Sequence, residues 1–112
     1  MNAKKKGNKG EHEFAHFLEE NGIKAFRNSM SGGSVWKGDI ANNLDLTIEI
    51  KTVKRINLQD AWWQVQKDSS IAHNTPVLCI HFDGMGNKEW LCVLHSEDFL
   101  EYLKYKQNEK TN

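Results

Sequence analysis

Apolar residues along the chain recur with two periods, one typical of helices and one typical of strands. Helical spacing runs over residues 10–21 and again over residues 57–72, where Asn57 is a candidate N-cap. Strand patterns and a last helix, which Ser96 would cap, occupy most of the remainder: strands at 23–28, 39–53 (two strands joined near 42–43), 77–82 and 89–94, and the helix to about residue 105. The order α-β-β-β-α-β-β-α predicts an α/β fold, a single domain with a mixed central β-sheet flanked by helices.

The two ends of the chain lack this periodicity. Residues 1–9 are polar and rich in lysine, and residues 106–112 are polar and charged. We therefore predict a basic flexible N-terminal arm, one domain over residues 10–105 and a flexible C-terminal tail. No apolar run approaches the roughly 20 residues of a membrane-spanning helix, and the N-terminus is too basic for a signal peptide, which predicts a cytoplasmic protein without a membrane partner.

The charges of the chain balance, with 15 basic and 15 acidic residues. A net charge of zero, taken alone, argues against a nucleic-acid partner, because phosphate binding usually leaves a basic excess. The distribution changes this interpretation, since four lysines stand in the first ten residues without an acid: Lys4, Lys5, Lys6 and Lys9. A solvated, solubilising arm is the alternative interpretation of this segment.

The two cysteines, Cys79 and Cys92, lie within apolar segments. This placement is typical of small reduced core residues, and a disulfide is the less favoured alternative. Together with His81 and His95 they could suggest zinc. The chain has no C-x-x-C pair, however, and the alternation of the strands separates these side chains, so no structural zinc is expected.

Glu49 and Lys51 are candidates for chemistry because they lie two residues apart on one predicted strand. Their side chains leave the same face, while Ile48 and Ile50 point into the core. Asp39 begins the preceding strand and would lie beside Glu49 if the two strands pair as a hairpin. Taken alone, the Glu-Ile-Lys tripeptide is more often an exposed charge pair on a sheet surface than part of a catalytic site.

Glu11 adds a third acid by an angular argument. At about 100° per residue it falls near the apolar face of the first helix, so it points inward. A buried carboxylate is costly unless it meets a cation, and Asp39 with Glu49 would complete an oxygen-rich site for Mg²⁺ or Mn²⁺. Such an ion polarises a phosphodiester and activates water, while the ammonium of Lys51 orients that water or balances the developing charge.

Three segments resemble, in order and spacing, the motif set of archaeal-type Holliday junction resolvases within the PD-(D/E)xK nuclease superfamily: residues 6–14 (KGNKGEHEF), 38–40 (GDI) and 49–51 (EIK). The resemblance covers about residues 5–103. The loop that contains Ser31, Gly32 and Gly33, and the helix with Trp62, Trp63 and Gln64, look like those of bacterial and phage members. A bacterial or phage-infected cell is therefore the expected setting.

The resemblance implies a restriction-endonuclease-like core, α-β-β-β-α-β, and a role for each matching residue. Glu11, Asp39 and Glu49 would be the catalytic acids and metal ligands, joined by the backbone carbonyl of Ile50, and Lys51 the catalytic lysine. Gln64 resembles a glutamine that some members place on the helix after the core strand. The chain departs from the pattern at His12, where archaeal members often have arginine, and at Gly38, where the motif has proline.

The predicted DNA contacts surround these acids in the sequence. They comprise the basic arm, His12, the loop and the cations next to the acids: Lys4, Lys5, Lys6, Lys9, His12, Ser31, Gly32, Gly33, Lys37, Lys54 and Arg55. Solvated surface charge is the alternative for the cations. Trp63 falls off the apolar face of its helix, so we expect it to be exposed for base stacking or, more often for tryptophan, at a dimer interface.

The sequence thus predicts a metal-dependent DNA endonuclease that resolves four-way junctions as a homodimer, since two symmetric cuts require two related sites. Two alternatives stay open. One is a nicking or DNA-degrading nuclease with the same core, and the other is a non-catalytic DNA-binding module.

Overall fold

The computed structural model describes residues 3–28 and 38–111. Within these ranges the chain forms three helices and five strands: α1 (Ala3–Glu20), β1 (Ala25–Arg27), β2 (Ile40–Asn42), β3 (Leu46–Val53), α2 (Leu58–Ala72), β4 (Thr75–Phe82), β5 (Leu91–Val93) and α3 (Ser96–Thr111). Among these helices none combines the length and apolarity needed to cross a membrane.

The five strands form one mixed sheet in the order β1-β2-β3-β4-β5. β3 and β4 pair in parallel over eight residues, whereas the other neighbours are antiparallel. Helix α2 makes the crossover that a parallel pair requires. The fold is therefore the predicted α/β domain with a restriction-endonuclease-like core.

Two apolar clusters cover the two faces of the sheet. On one face Phe14 and Ala15 of α1 pack with Ile48 and Ile50 of β3. On the other face Ala61 and Val65 of α2 pack with Leu78 and Ile80 of β4. Because side chains alternate along a strand and Ile48 and Ile50 face α1, Glu49 and Lys51 lie on the opposite face of the sheet, which α2 covers.

Helix α1 begins at Ala3 rather than near residue 10, so residues 3–9, predicted to be a flexible arm, are helical. Tertiary contacts explain the difference. The carbonyl of Lys6 accepts the Thr52 hydroxyl at 3.1 Å, and the Lys6 ammonium pairs with Asp83 at 2.8 Å. A Cβ at Gly10 would collide with Thr52, so glycine allows this close approach of α1 to β3.

The last helix also extends beyond its predicted end. α3 continues to Thr111, so most of the predicted C-terminal tail is helical, and its lysines, glutamates and glutamine are good helix formers. Its first turn is capped differently from the prediction. The N–H of Glu97 donates to Nδ1 of His95 at 3.1 Å, and the carbonyl of His95 accepts from Asp98 and Phe99, so His95 and not Ser96 has the capping position.

Gly38 is the position where the backbone tolerates a side chain least. Its φ is +92°, and a Cβ there would lie 2.9 Å from the carbonyl oxygen of Ile48. We expect Gly38→Ala to lower the free energy of unfolding by about 2–4 kcal/mol, through strain plus this backbone contact. Urea denaturation measures the change.

Gly22→Ala is the matched control for this substitution. Gly22 has a similar φ of +82° with no atom within 4 Å of the added Cβ, so only strain of about 1 kcal/mol is expected. Equal losses in the two variants would show that the contact with β3 contributes nothing.

Candidate active site

Asp39 immediately precedes β2 and makes hydrogen bonds with the neighbouring strand β3. Its N–H donates to the carbonyl of Ile48 at 2.7 Å, and its carboxylate Oδ2 accepts the N–H of Ile50 at 2.8 Å. Ile40 is the residue of β2 that lies opposite Ile48. The Asp39 side chain therefore takes the place of a backbone acceptor for β3 just where β2 begins, which holds the carboxylate beside Glu49.

Asn28 restrains the same backbone from the β1 side. This buried residue donates its N–H to the carbonyl of Asp39 at 2.8 Å and its Nδ2 to the carbonyl of Gly38 at 3.0 Å. Asn28, the residue after β1, thus holds the backbone of Gly38 and Asp39, the two residues that precede β2.

Glu49 is the most perturbed carboxyl group of the candidate site. Burial, the largest cause, raises the pKa of Glu49 from 4.5 to about 8, and repulsion from Asp39 and a hydrogen bond with its carboxyl add to the shift. Repulsion from Asp68 raises the pKa of Glu49 by a smaller amount, whereas the ammonium of Lys51 lowers it. The structure therefore brings Asp39, Glu49 and Lys51 into one electrostatic group, as the predicted pairing of β2 with β3 requires.

Glu11 points inward from α1, as its position on the helical wheel predicts. Its Oε1 lies 3.4 Å from Nε of Arg27, and its side chain is 14% exposed. Burial, followed by repulsion from Asp39, raises the pKa of Glu11, while Arg27 opposes the shift. Arg27 also donates from Nη2 to Asn8 Oδ1 at 2.8 Å. Glu11 thus lies close enough to Asp39 for the two charges to interact, but its ion-pair partner is Arg27.

The three acids do not converge into one cluster. In residues 3–28 and 38–111 no group of three or more His, Cys, Asp or Glu side chains is arranged to hold a metal ion. Asp39 and Glu49 form a pair, and Glu11 lies apart with Arg27. The chemistry of the pair nevertheless fits a hard divalent cation, because Asp39 raises the pKa of Glu49 and a nearby 2+ charge favours the ionised form of that carboxyl.

Gln64 reaches this group only indirectly. It is exposed on α2, and its Nε2 lies 3.3 Å from both carboxylate oxygens of Asp68, one turn further along the helix. Asp68 in turn interacts with Glu49. Trp63, the neighbour of Gln64, is 57% exposed, so its predicted exposure is confirmed.

The cations predicted to contact DNA are dispersed. Lys6 pairs with Asp83 at 2.8 Å, and Lys9 lies 3.8 Å from Glu13. Five other candidates are exposed or half-buried: Lys4, Lys5, His12, Lys54 and Arg55. The remaining four, Ser31, Gly32, Gly33 and Lys37, lie outside the described residues.

A comparison with protein families complements this geometry. The chain matches the family model described as archaeal Holliday junction resolvase (Hjc) over residues 2–105. The chain belongs to the Hjc family. The comparison with curated proteins found no match. Hjc proteins are nucleases of the PD-(D/E)xK type that act on DNA and generally use a divalent metal, which agrees with the resemblance drawn from the three motifs.

Three residues that contact the candidate site were not identified from the sequence: Arg27, Asn28 and Asp68. Asp68 was detectable, because it follows Ala61 and Val65 by seven and three residues and therefore lies beside the buried face of α2. Arg27 and Asn28 end a short strand with no diagnostic pattern. Their roles depend on contacts with α1 and with Gly38 and Asp39 that are distant in sequence.

The raised pKa of Glu49 predicts a pH-dependent stability for this Hjc-family chain. Between the ordinary pKa of 4.5 and the folded pKa of about 8, the folded chain holds this proton more tightly than the unfolded chain. The contribution of Glu49 to the free energy of unfolding therefore falls as pH rises through this interval. We expect Glu49→Gln to be more stable than wild type by about 1–3 kcal/mol at neutral pH, with the gain disappearing near pH 4.5.

Denaturation midpoints in urea, followed across this pH range, measure the effect. Glu13→Gln on the outer side of α1 is the control and should show no such trend. A stability difference between wild type and Glu49→Gln that does not change with pH would contradict the raised pKa of Glu49.

Proposed function

We propose that this chain is a metal-dependent endonuclease that resolves four-way DNA junctions, with Mg²⁺ as its cofactor and Mn²⁺ as a substitute. The observation that carries the proposal is the pairing of Asp39 and Glu49 beside Lys51 on the central strand β3. The site belongs to a chain of the Hjc family, whose described substrate is the Holliday junction.

Asp39 and Glu49, with the carbonyl of Ile50, would hold the cation. When bound, the cation supplies a polarised phosphodiester, a more acidic water and a counter-charge for the leaving oxygen. The chain contributes the placement of these groups. The hydrogen bond from the Ile50 N–H holds the Asp39 carboxylate beside Glu49, and the ammonium of Lys51 would orient the attacking water or balance charge on the reacting phosphate.

Glu11 completes the acidic face of the site from the α1 side. Its ion pair with Arg27 keeps a cation within 3.4 Å of the carboxylate, so this acid orients the arginine for a DNA phosphate as well as contributing negative charge beside Asp39. Gln64 contributes through Asp68, whose distance from Glu49 it helps to set.

DNA binding in this proposal relies on shape and phosphate charge rather than on base sequence. The exposed cations at the end of β3, Lys54 and Arg55, and those of α1 would contact backbone phosphates on both sides of the cut, with His12 and the loop residues Ser31, Gly32, Gly33 and Lys37 completing the surface. The setting would be the cytoplasm of a bacterial or phage-infected cell.

Resolution requires two cuts, so we propose a homodimer, and α3 is the surface that supports it. From Ser96 to Lys110 every residue of α3 is exposed except the half-buried Asp98. Apolar side chains are included, with Phe99 50% and Leu103 45% exposed. An apolar helix face of this kind is typical of a protein interface.

The charges along α3 are self-complementary, which favours a second copy as the partner. The first half of α3 carries Glu97, Asp98 and Glu101, whereas the second half carries three lysines against one glutamate: Lys104, Lys106, Lys110 and Glu109. Two α3 helices that pair antiparallel about a two-fold axis bring acidic halves against basic halves.

Cleavage assays test the catalytic proposal. We expect wild type with Mg²⁺ to make paired symmetric cuts in a labelled four-way junction and to leave a matched linear duplex intact. Asp39→Asn keeps an acceptor for the N–H of Ile50 but loses the charge, so its cleavage rate should fall by about 10²-fold or more while junction binding persists. Lys51→Ala should show a comparable loss.

Two neutral substitutions are the controls for these variants. Asp45→Asn repeats the chemical change at an exposed turn residue whose φ of 58° asparagine tolerates, and Lys24→Ala removes an exposed lysine of the β1 end. Both should cut as wild type does. Cleavage of every substrate would indicate a nicking or degrading nuclease, and tight binding without any product would indicate a non-catalytic DNA-binding module.

A charge-swap experiment tests the α3 dimer. The variant Glu97→Lys with Glu101→Lys and the variant Lys104→Glu with Lys106→Glu should each be monomeric by sedimentation, because each places like charges against each other. An equimolar mixture of the two should form a 1:1 dimer. Lys24→Glu, an exposed change outside α3, should leave dimerisation unchanged. Dimers in both separate variants would contradict the pairing.

A further inference from the structure

Cys79 and Cys92 lie directly opposite each other on neighbouring strands. They are register partners in the antiparallel pair of β4 and β5. Their Sγ atoms are 3.6 Å apart, and both are free thiols. Two strand residues that face each other in this way keep their side chains on one face of the sheet. The chain thus presents a dithiol, although each cysteine taken alone resembles an ordinary apolar residue.

The geometry of this pair is close to that of a disulfide. Directly opposite residues of antiparallel strands have Cα atoms about 4.5–5.5 Å apart, which lies within the range that a disulfide spans. The sulfur atoms must approach by only about 1.5 Å to reach a bonding distance. Side-chain rotation at Cys92 can supply this movement, since Cys92 is exposed on a short outer strand whereas Cys79 is 1% exposed.

The two thiols have unequal chemistry. The hydrogen bond between them lowers the pKa of Cys92 to about 7, and the same bond, together with burial, raises the pKa of Cys79. The exposed sulfur is therefore the nucleophile, and the buried sulfur holds its proton beside it. Both thiols also line an apolar cavity of about 540 Å³ together with Phe14, Leu46 and Leu94, which gives a small oxidant space to enter.

We propose that Cys79 and Cys92 form a redox modification site that hydrogen peroxide converts into an intrachain disulfide. The Cys92 thiolate attacks the peroxide, so that an S–O bond forms, the O–O bond breaks and the released hydroxide takes a proton to become water. Cys79 sulfur then attacks the Cys92 sulfur, an S–S bond forms, the S–O bond breaks, and the leaving hydroxide takes the Cys79 proton as a second water. Two thiols are oxidised and one peroxide is reduced.

The bond would fasten the outer edge of the sheet. β5 is three residues long and pairs with β4 alone in the described part of the chain. Two residues separate its end at Val93 from Ser96, the first residue of α3. A covalent link at Cys92 therefore restrains both the strand and the beginning of the helix that follows it.

Treatment of the protein with hydrogen peroxide at neutral pH tests the site. Intact mass should fall by two hydrogen atoms, the chain should migrate as a monomer on a non-reducing gel, and peptide mapping should give a Cys79–Cys92 link. A rise in Tm of roughly 5 °C or more, reversed by dithiothreitol, should accompany the bond. The bond should form at least about tenfold faster in the folded chain than in denaturant.

Two variants keep the test decisive. Cys92→Ser, at an exposed position, should fold normally and show neither the mass loss nor the Tm shift. Cys79→Ala should leave a Cys92 sulfenic acid that dimedone captures. The proposal is overturned if wild type gains oxygen at Cys92 without an S–S link, if the only disulfides join separate chains, or if folded and denatured chains form the bond at equal rates.

Discussion

The hydrogen bond from the Ile50 N–H to the Asp39 carboxylate organises the candidate site and the adjoining part of β2 and β3. A carboxylate serves here as the acceptor that a neighbouring strand would otherwise supply, so β3 can continue past β2 without an unsatisfied N–H at Ile50. Gly38 has no Cβ, so the backbone before β2 can approach Ile48 closely enough for Asp39 to make this bond. Asn28 holds that backbone in place through its hydrogen bond to the carbonyl of Gly38. One contact thus couples the continuity of the sheet to the position of a charged group.

The same contact holds two acidic side chains, Asp39 and Glu49, next to each other in a partly buried site, which is electrostatically unfavourable. Burial between β3 and α2 raises the pKa of Glu49, and the neighbouring Asp39 carboxylate raises it further. The fold provides partial relief through Lys51 on the same strand face and Arg27 beside Glu11. The buried carboxyl groups lower the free energy of unfolding when no cation is bound, and binding of a cation would offset this loss. Functional sites often reduce stability in this way.

Much of this organisation could be predicted from the sequence because it follows from periodicity. The alternation of Ile48 and Ile50 with Glu49 and Lys51 determines which face each side chain occupies, and the helical wheel turns Glu11 inward. The arginine partner of Glu11 could not be predicted in this way, since Arg27 and Glu11 meet only after α1 packs on the sheet.

The errors at the helix ends have the same physical origin. Lysine-rich residues before residue 10 have no apolar periodicity, yet the contacts of Lys6 with Thr52 and Asp83 hold that segment on the sheet as a helix. The pairing of Cys79 with Cys92 was equally hidden, because it depends on the register between β4 and β5 and not on the composition of either strand.

The short outer strands of the sheet limit aggregation through strand pairing between copies of the chain. Both terminal strands of the sheet, β1 and β5, comprise three residues, whereas the central β3 and β4 comprise eight. A short edge offers few free N–H and C=O groups, so it is a poor template for the strand-to-strand growth that leads to aggregates. The long, apolar strands that would be hazardous at an edge are kept in the interior of the sheet.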